Sequence, residues 1–391
     1  MYLLFYISRG ELSELGFVGL KDFGIEFINL CLFVFICVHL WTINNNWTVK
    51  KFTHNKRYRT LFLNFLLILK YLKLKKMTKA LLLFSGGLDS ILAGKILKEQ
   101  GIHVTAVKYI TPFFGWELKK NPEKYYKNIE QLGFDEGEII DISTEYLELL
   151  KKPRYGYGSH ANPCIDCKIL MINKTFQLVK EGRADFIATG EVLGQRPMSQ
   201  NRNALILIKK NAEFEDLLLR PLSAKLLFPT KPEREGLVDR EKLLSINGRS
   251  RHEQLSLAER FGIKDIPSSA GGCLLTDPVI GDRVLAILKN DLPLNTITAE
   301  LLTLGRHYIA DNTWIMLGRN YEENKKLFEI AASQYKIYCL SEPSPLGIVL
   351  SGDNNIDKLF ELLVKYSKKA RLAIENGKEV SLQIVKNADD I

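Results

Sequence analysis

The run Ser85-Gly86-Gly87-Leu88-Asp89-Ser90 packs two glycines, two hydroxyls and one carboxylate into six residues. Set between a strand and a helix, it is an anion cradle. The glycines let the backbone approach a phosphate closely, and the N–H groups with the helix N-terminus supply positive potential. It is not the Gly-x4-Gly-Lys-Ser/Thr loop: Gly94-Lys95 follows, but the spacing is wrong and Ile96 stands where Ser or Thr is required.

The second chemical group is sulfur. In Asn162-Pro163-Cys164-Ile165-Asp166-Cys167 two thiols stand three residues apart at the start of a helical pattern, where the helix dipole favours thiolates. Cys273 ends Ser268-Ser269-Ala270-Gly271-Gly272-Cys273, a turn whose two glycines can bring backbone close to a cofactor or partner. Cys164, Cys167 and Cys273 admit three readings: a [4Fe-4S] cluster with one iron left open, a persulfide and disulfide relay, or a zinc with a fourth ligand such as His160. Cys339 reads as a small buried apolar residue. Six cysteines in 391 residues are too few for a secreted disulfide framework, which implies a reducing, cytoplasmic compartment.

Thr189-Gly190-Glu191-Val192-Leu193-Gly194-Gln195, followed by Met198-Ser199-Gln200, closes a predicted strand and points to the same rim as the glycine loop. Arg220-Pro221-Leu222 and Gly248 to Gln254 add cations suited to phosphates, although each taken singly also suits a solvated surface. His160 and His252, without a named partner, read as structural.

These residues need a scaffold. Ala80 to Phe84, Val104 to Tyr109, Glu138 to Ile142 and Asp185 to Thr189 read as strands, and Ser90 to Glu99 and Cys167 to Lys180 as helices. Strands alternating with helices predict an α/β fold, a doubly wound parallel sheet that binds ligands at the carboxyl ends of its strands. Residues 191 to 290 are less regular, punctuated by Pro221, Pro229, Pro232 and Pro267. Residues 303 to 391 read as a smaller C-terminal α+β domain: strands Arg306 to Ile309 and Thr313 to Leu317 around a turn at Asp311-Asn312, then a helix from Glu322.

The formal charge of +9 is uneven, since residues 1 to 76 hold 11 Lys/Arg against 4 Asp/Glu. The remainder is near neutral, so an RNA surface on it must be a local patch. The leader is charge-free from Phe27 to Val49, a weak transmembrane candidate with basic residues after it. It also lacks Ala, Pro and Gln, a composition that AT-rich DNA encodes by default, and Met77 opens directly onto a strand. Residues 1–76 therefore read as a doubtful leader from a mis-called start, and no membrane association is expected for 77–391.

Ser85 to Ser90 matches every fixed position of SGGxDS, and so resembles the PP-loop ATP pyrophosphatase superfamily of adenine nucleotide alpha hydrolase-like folds. Thr189 to Gln200 resembles the GExLGQ and SQ elements of the ThiI-like tRNA 4-thiouridine synthase catalytic domain, here with Arg196-Pro197-Met198 between them. Gly305-Arg306-His307-Tyr308 and Gly318-Arg319-Asn320 to Asn324 resemble the NFACT-R module, thought to bind RNA. The resemblance implies a PP-loop catalytic domain over 77–290 and an RNA-binding module over 303–391. It implies ATP with Mg²⁺ on Ser85, Gly86, Gly87, Asp89, Ser90, Thr189, Gly190 and Glu191, and tRNA as partner. AMP is placed on a uridine oxygen, and sulfur from sulfide or a persulfide carrier protein replaces it through Cys164, Cys167 and Cys273. Some thiolases of this class carry a three-cysteine cluster. Two other classes remain: an adenylating ligase acting on a small carboxylate, which leaves the cysteines idle, and a non-catalytic RNA-binding factor.

Overall fold

The structure, a computed structural model, describes residues 77–211, 215–266, 272–310, 312–352 and 355–387. The leader with its transmembrane candidate, the turn residues Ser268 to Gly271 and Asp311 lie outside the described residues. Residues 77–391 group as one compact unit.

Strand β1 (Lys79–Leu83) runs through the glycine loop into helix α1 (Leu88–Glu99) and strand β2 (His103–Ile110). Helix α2 (Glu123–Gln131) leads to β3 (Glu136–Asp141), helices α3 (Ser143–Lys151) and α4 (Cys164–Lys180) to β4 (Phe186–Thr189), and α5 (Arg202–Asn211) to the two-residue β5 (Leu218–Leu219). The sheet order is β3-β2-β1-β4-β5, and every neighbouring pair is parallel. Along β1 the side chains alternate: Ala80 and Leu82 pack with Ile91 and Leu92 of α1, whereas Leu81 faces the core on the opposite side. Both faces are covered, so the sheet is doubly wound as expected. The chain builds outward from β1 to β3 and returns on the other side at β4, and the carboxyl ends of β1 and β4 flank the point where the winding reverses.

Helices α6 (Lys231–Arg234), α7 (His252–Arg260), α8 (Pro278–Lys289) and α9 (Thr296–Leu301) follow, α7 packing on α1. The second sheet is formed by β6 (Arg306–Ala310), β7 (Thr313–Leu317), β8 (Ile337–Leu340), β9 (Gly347–Ser351) and β10 (Leu382–Ile384). Helices α10 (Tyr321–Ala331), α11 (Ile356–Tyr366) and α12 (Lys368–Glu375) lie between its strands in sequence. Its order is β10-β8-β9-β7-β6, antiparallel throughout. Central β7 is buried on both faces: Ile315 and Leu317 meet Leu359 and Leu363 of α11, while Trp314 and Met316 face the other way. The core holding Trp314 also takes in Phe113, Tyr146, Leu150 and Val284, so the antiparallel sheet shares a hydrophobic core with residues of the N-terminal part.

The Gly318 to Asn324 motif builds a corner. The Asn320 side chain caps α10 by accepting from Glu323 N at 3.0 Å, and Asn324 Oδ1 accepts from Leu346 N at 3.2 Å. A Cβ on Gly318 would stand 2.0 Å from that same oxygen, which is why glycine is needed there. No described helix is long and apolar enough to cross a membrane.

Candidate active site

The glycine loop follows β1, and Gly86 takes φ +84°, a left-handed conformation that glycine adopts without strain. Gly87 sits before the first turn of α1, where its carbonyl accepts from Ser90 N at 3.0 Å and from Ser90 Oγ at 2.7 Å. Ser85 Oγ donates to Ser90 Oγ at 3.2 Å and accepts from Gly87 N at 3.2 Å, so both hydroxyls brace the loop. Lys108 at the end of β2 donates to the Ser85 carbonyl at 2.6 Å. Burial pushes the Lys108 ammonium below its ordinary pKa, against the pull of Glu117. Beside the loop lies a cavity of about 910 Å³ that Gly86, Lys95, Lys108, Lys124 and Phe261 help to line. Lys108 escapes a sequence reading because on β2 it looks like one outward polar residue.

Thr189, Gly190 and Glu191 leave β4 directly beside α1. A Cβ on Gly190 would stand 2.5 Å from Asp89 C and Ser90 N, inside any real contact. Gly190→Ala is therefore expected to cost about 1–3 kcal/mol and to weaken ATP binding by displacing the loop. Thermal melting and nucleotide titration check this; unchanged ATP affinity would separate the two segments functionally.

Gln195 Nε2 donates to Asp89 Oδ2 at 2.9 Å, while the buried Asp89 Oδ1 has no hydrogen-bond partner. Burial raises the Asp89 carboxyl, opposed by Gln195 and by the nearby guanidiniums of Arg251 and Arg196. An unpaired carboxylate oxygen beside a phosphate cradle fits a divalent cation such as Mg²⁺.

Glu191 is enclosed. Its carboxylate accepts from Lys168 of α4, from Arg220 Nε at 2.8 Å and from Thr189 Oγ1 at 3.3 Å. Burial alone would raise this carboxyl, but the two cations hold it down to about 2. Glu191 is thus the anchor of a buried charge network, a role visible only once residues 23 and 29 positions away are seen to meet it.

Cys164 opens α4 and Cys167 lies one turn on, while Cys273 precedes a short turn, Leu274–Thr276, tied to the sheet through Leu274 N donating to Phe113 O at 2.9 Å. Cys167 and Cys273 pack against one core with Tyr146, and the charges of Cys164 and Cys273 both raise the Cys167 thiol, so the three lie within electrostatic reach of one another. Burial raises every one of them, Cys273 to about 11, so enclosure outweighs the expected thiolate-favouring helix dipole. Lys168 and Arg196 oppose this at Cys164. Arg196 also acts on Cys273 and Asp89, which places its charge toward both the thiols and the phosphate loop.

Among the described residues no group of three or more His, Cys, Asp or Glu is drawn together to the spacing of a bound ion. The donor set nevertheless fits an iron–sulfur cluster, because three soft sulfurs gather at one half-buried place and a cluster separates its ligands more widely than a single ion does. His160, the candidate fourth zinc ligand, has its Nδ1 3.9 Å from Asp282 Oδ1 and is absent from the groups acting on the thiols. His252 is exposed at the start of α7.

Residues 76–225 match the family model described as thiamine biosynthesis protein (ThiI). Among relatives, the tRNA-specific 2-thiouridylase MnmA of Petrotoga mobilis is 29% identical over 34% of this chain and 40% of its own length. Probable tRNA sulfurtransferases of Geobacillus kaustophilus and Geobacillus thermodenitrificans are 31% and 26% identical, over 37% and 43% of this chain and 34% and 48% of theirs. The chain thus spans less than half the length of these curated relatives. Among solved structures, a 4-thiouridine synthetase–RNA complex with bound ATP aligns at 19% identity and a TM-score of 0.32, covering 55% of this chain and 51% of that one. The parallel sheet, the SGGxDS run after its first strand and the match over residues 76–225 make this part of the chain similar to a PP-loop domain of the ThiI-like kind.

Proposed function

We propose that the chain is an ATP-dependent tRNA sulfurtransferase that converts a uridine to 4-thiouridine in the cytoplasm. One observation carries the reading: the segment Thr189 to Gln195 hydrogen-bonds Asp89 of the phosphate loop at one end and ion-pairs Lys168, the neighbour of Cys167, at the other. This supports a reading in which ATP chemistry and sulfur chemistry share one rim. The relatives named for tRNA thiolation support the same substrate class.

In this reading the Ser85 to Ser90 loop holds the ATP phosphates, and the uridine O4 attacks the α-phosphorus. The bond to the bridging oxygen breaks and pyrophosphate leaves, so O4 now departs readily as AMP. Asp89 would hold a Mg²⁺ ion, which would supply charge neutralisation on the phosphates. Sulfide at Cys164, Cys167 and Cys273 attacks C4, and the C4–S bond forms as the C4–O4 bond breaks and AMP leaves. Cys164, Cys167 and Cys273 would hold a [4Fe-4S] cluster, which would supply a binding place for sulfide. The charge of Arg196 acts on Asp89, Cys164 and Cys273. We assign RNA contact to the C-terminal sheet domain, over residues 303–391, and catalysis to 77–290.

Mass spectrometry of tRNA nucleosides from a deletion strain tests the reading. Loss of 4-thiouridine, restored by the wild-type gene and not by Asp89→Ala, is expected. An unaltered set of thionucleosides in the deletion strain would sink it.

A further inference from the structure

A third segment closes on the phosphate loop. Gly248 N donates to Leu193 O at 2.8 Å, and Leu193 and Asn247 form a parallel bridge, so the chain before α7 is tied to the segment that holds Asp89. Gly194 permits this approach, since a Cβ there would lie 2.9 Å from Asn247 Oδ1. Helix α7 then packs against α1, with Ala258 in the same core as Leu88 and Ile91.

This packing buries Gln254 completely, at 0% exposure, with its amide near enough to Asp89 to lower that carboxyl, yet neither its nitrogen nor its oxygen makes a hydrogen bond of good geometry. Arg251 Nε is buried and unpartnered as well, as are Asp89 Oδ1 and Gln195 Oε1. Buried polar atoms are nearly always paired, so several orphans around one carboxylate mark a place built for a ligand. Both Gln254 and Arg251 act on Asp89, so both lie near that carboxylate. Donors of this kind, a guanidinium and a carboxamide opposite a glycine cradle, suit a polyphosphate.

We propose that Arg251 and Gln254 form the far wall of the phosphate site, Arg251 binding the β and γ phosphates of ATP and Gln254 serving as a positioning residue for Asp89. The inference rests on the proposed ATP chemistry. When O4 attacks the α-phosphorus, the electron pair of the breaking bond goes to the bridging oxygen, and the departing pyrophosphate gains negative charge. Arg251 stands to offset that charge, which the loop's own N–H groups share.

Calorimetric titration of the full chain with ATP, AMP and inorganic pyrophosphate tests this. Arg251→Ala is expected to weaken ATP and pyrophosphate about 10- to 100-fold, the worth of a charged hydrogen bond, and to leave AMP within about threefold. Arg251→Lys should recover part of the loss. Gln254→Leu removes both orphaned atoms at similar shape, so its melting temperature should hold or rise while the kcat of ATP cleavage falls; a structural glutamine would instead lose stability. Equal weakening of ATP and AMP, or lost tRNA affinity with ATP binding intact, overturns the wall. A wild-type chain that binds no ATP overturns the proposed function and the wall together, whereas ATP binding untouched by Arg251→Ala removes the wall alone.

Discussion

Cys273→Ser is expected to abolish thiolation, by at least ~10³-fold, while tRNA-dependent pyrophosphate release stays within about threefold of wild type. The split follows from position. Cys273 lies against the core that also packs Cys167, whereas the atoms that grip phosphate come from Ser85 to Ser90, a segment the thiols do not belong to. The substitution is nearly isosteric and its site is only partly exposed, so folding should change by about 1 kcal/mol or less. Cys164→Ser and Cys167→Ser should each match it, and the triple variant should be little worse, because groups acting as a unit fail together. Iron content divides the two sulfur chemistries. If a cluster is held, each single change lowers bound iron, since serine oxygen is a harder donor than thiolate sulfur. If a relay operates, iron is absent from wild type and an alkylating reagent stops turnover instead. Full thiolation by Cys273→Ser would defeat both versions and return the chain to the small-carboxylate ligase.

The parts of this site that sequence reveals are those in which chemistry and geometry lie within one turn of chain. The glycine loop is legible because strand, turn and helix follow one another, and β7 because Trp314 to Leu317 fill both faces of a central strand. Cys164 and Cys167 are legible as neighbours on a helix. Their meeting with Cys273 is implied by residue type and by resemblance, not by any local pattern, as the partners lie more than 100 positions apart. The two-residue β5 has too few residues for periodicity to register. In the C-terminal domain Gly318, Asn320 and Asn324 turn a strand into a capped helix, a structural use that their motif does not announce. The boundary after residue 290 is invisible as a break in packing, because Val284 and Trp314 belong to one core. The most consequential omission is ionic: Lys168, Glu191 and Arg220 look in sequence like three ordinary charges.

Glu191→Gln should accordingly be among the most destabilising single changes in the chain. The amide keeps the shape but strands Arg220, 4% exposed, and the enclosed end of Lys168 without a counter-charge. Removing one partner of a buried ion pair costs about 3–5 kcal/mol. For a unit of this size that is a fall in melting temperature on the order of 10 °C. The pH dependence follows from the same geometry. The Glu191 carboxyl is lowered from 4.5 to about 2 in the fold, so its contribution is complete above about pH 5. That contribution, about 3 kcal/mol for a shift of this size, is lost as pH falls through 4 toward 2. Denaturant titrations at pH 7 and pH 3.5 should therefore show the gap between wild type and Glu191→Gln narrowing in acid, since only wild type has this carboxylate to protonate. Equal stability of the two proteins at pH 7 would show that the network is solvated and exerts no hold on the site. Replacing all three members together, as Lys168→Met, Glu191→Leu and Arg220→Met, separates folding from function: an apolar trio of similar volume can restore most of the stability. It should not restore thiolation, because Lys168 is the cation beside Cys164 and Cys167, and its loss leaves the buried thiols with less to offset their negative charge.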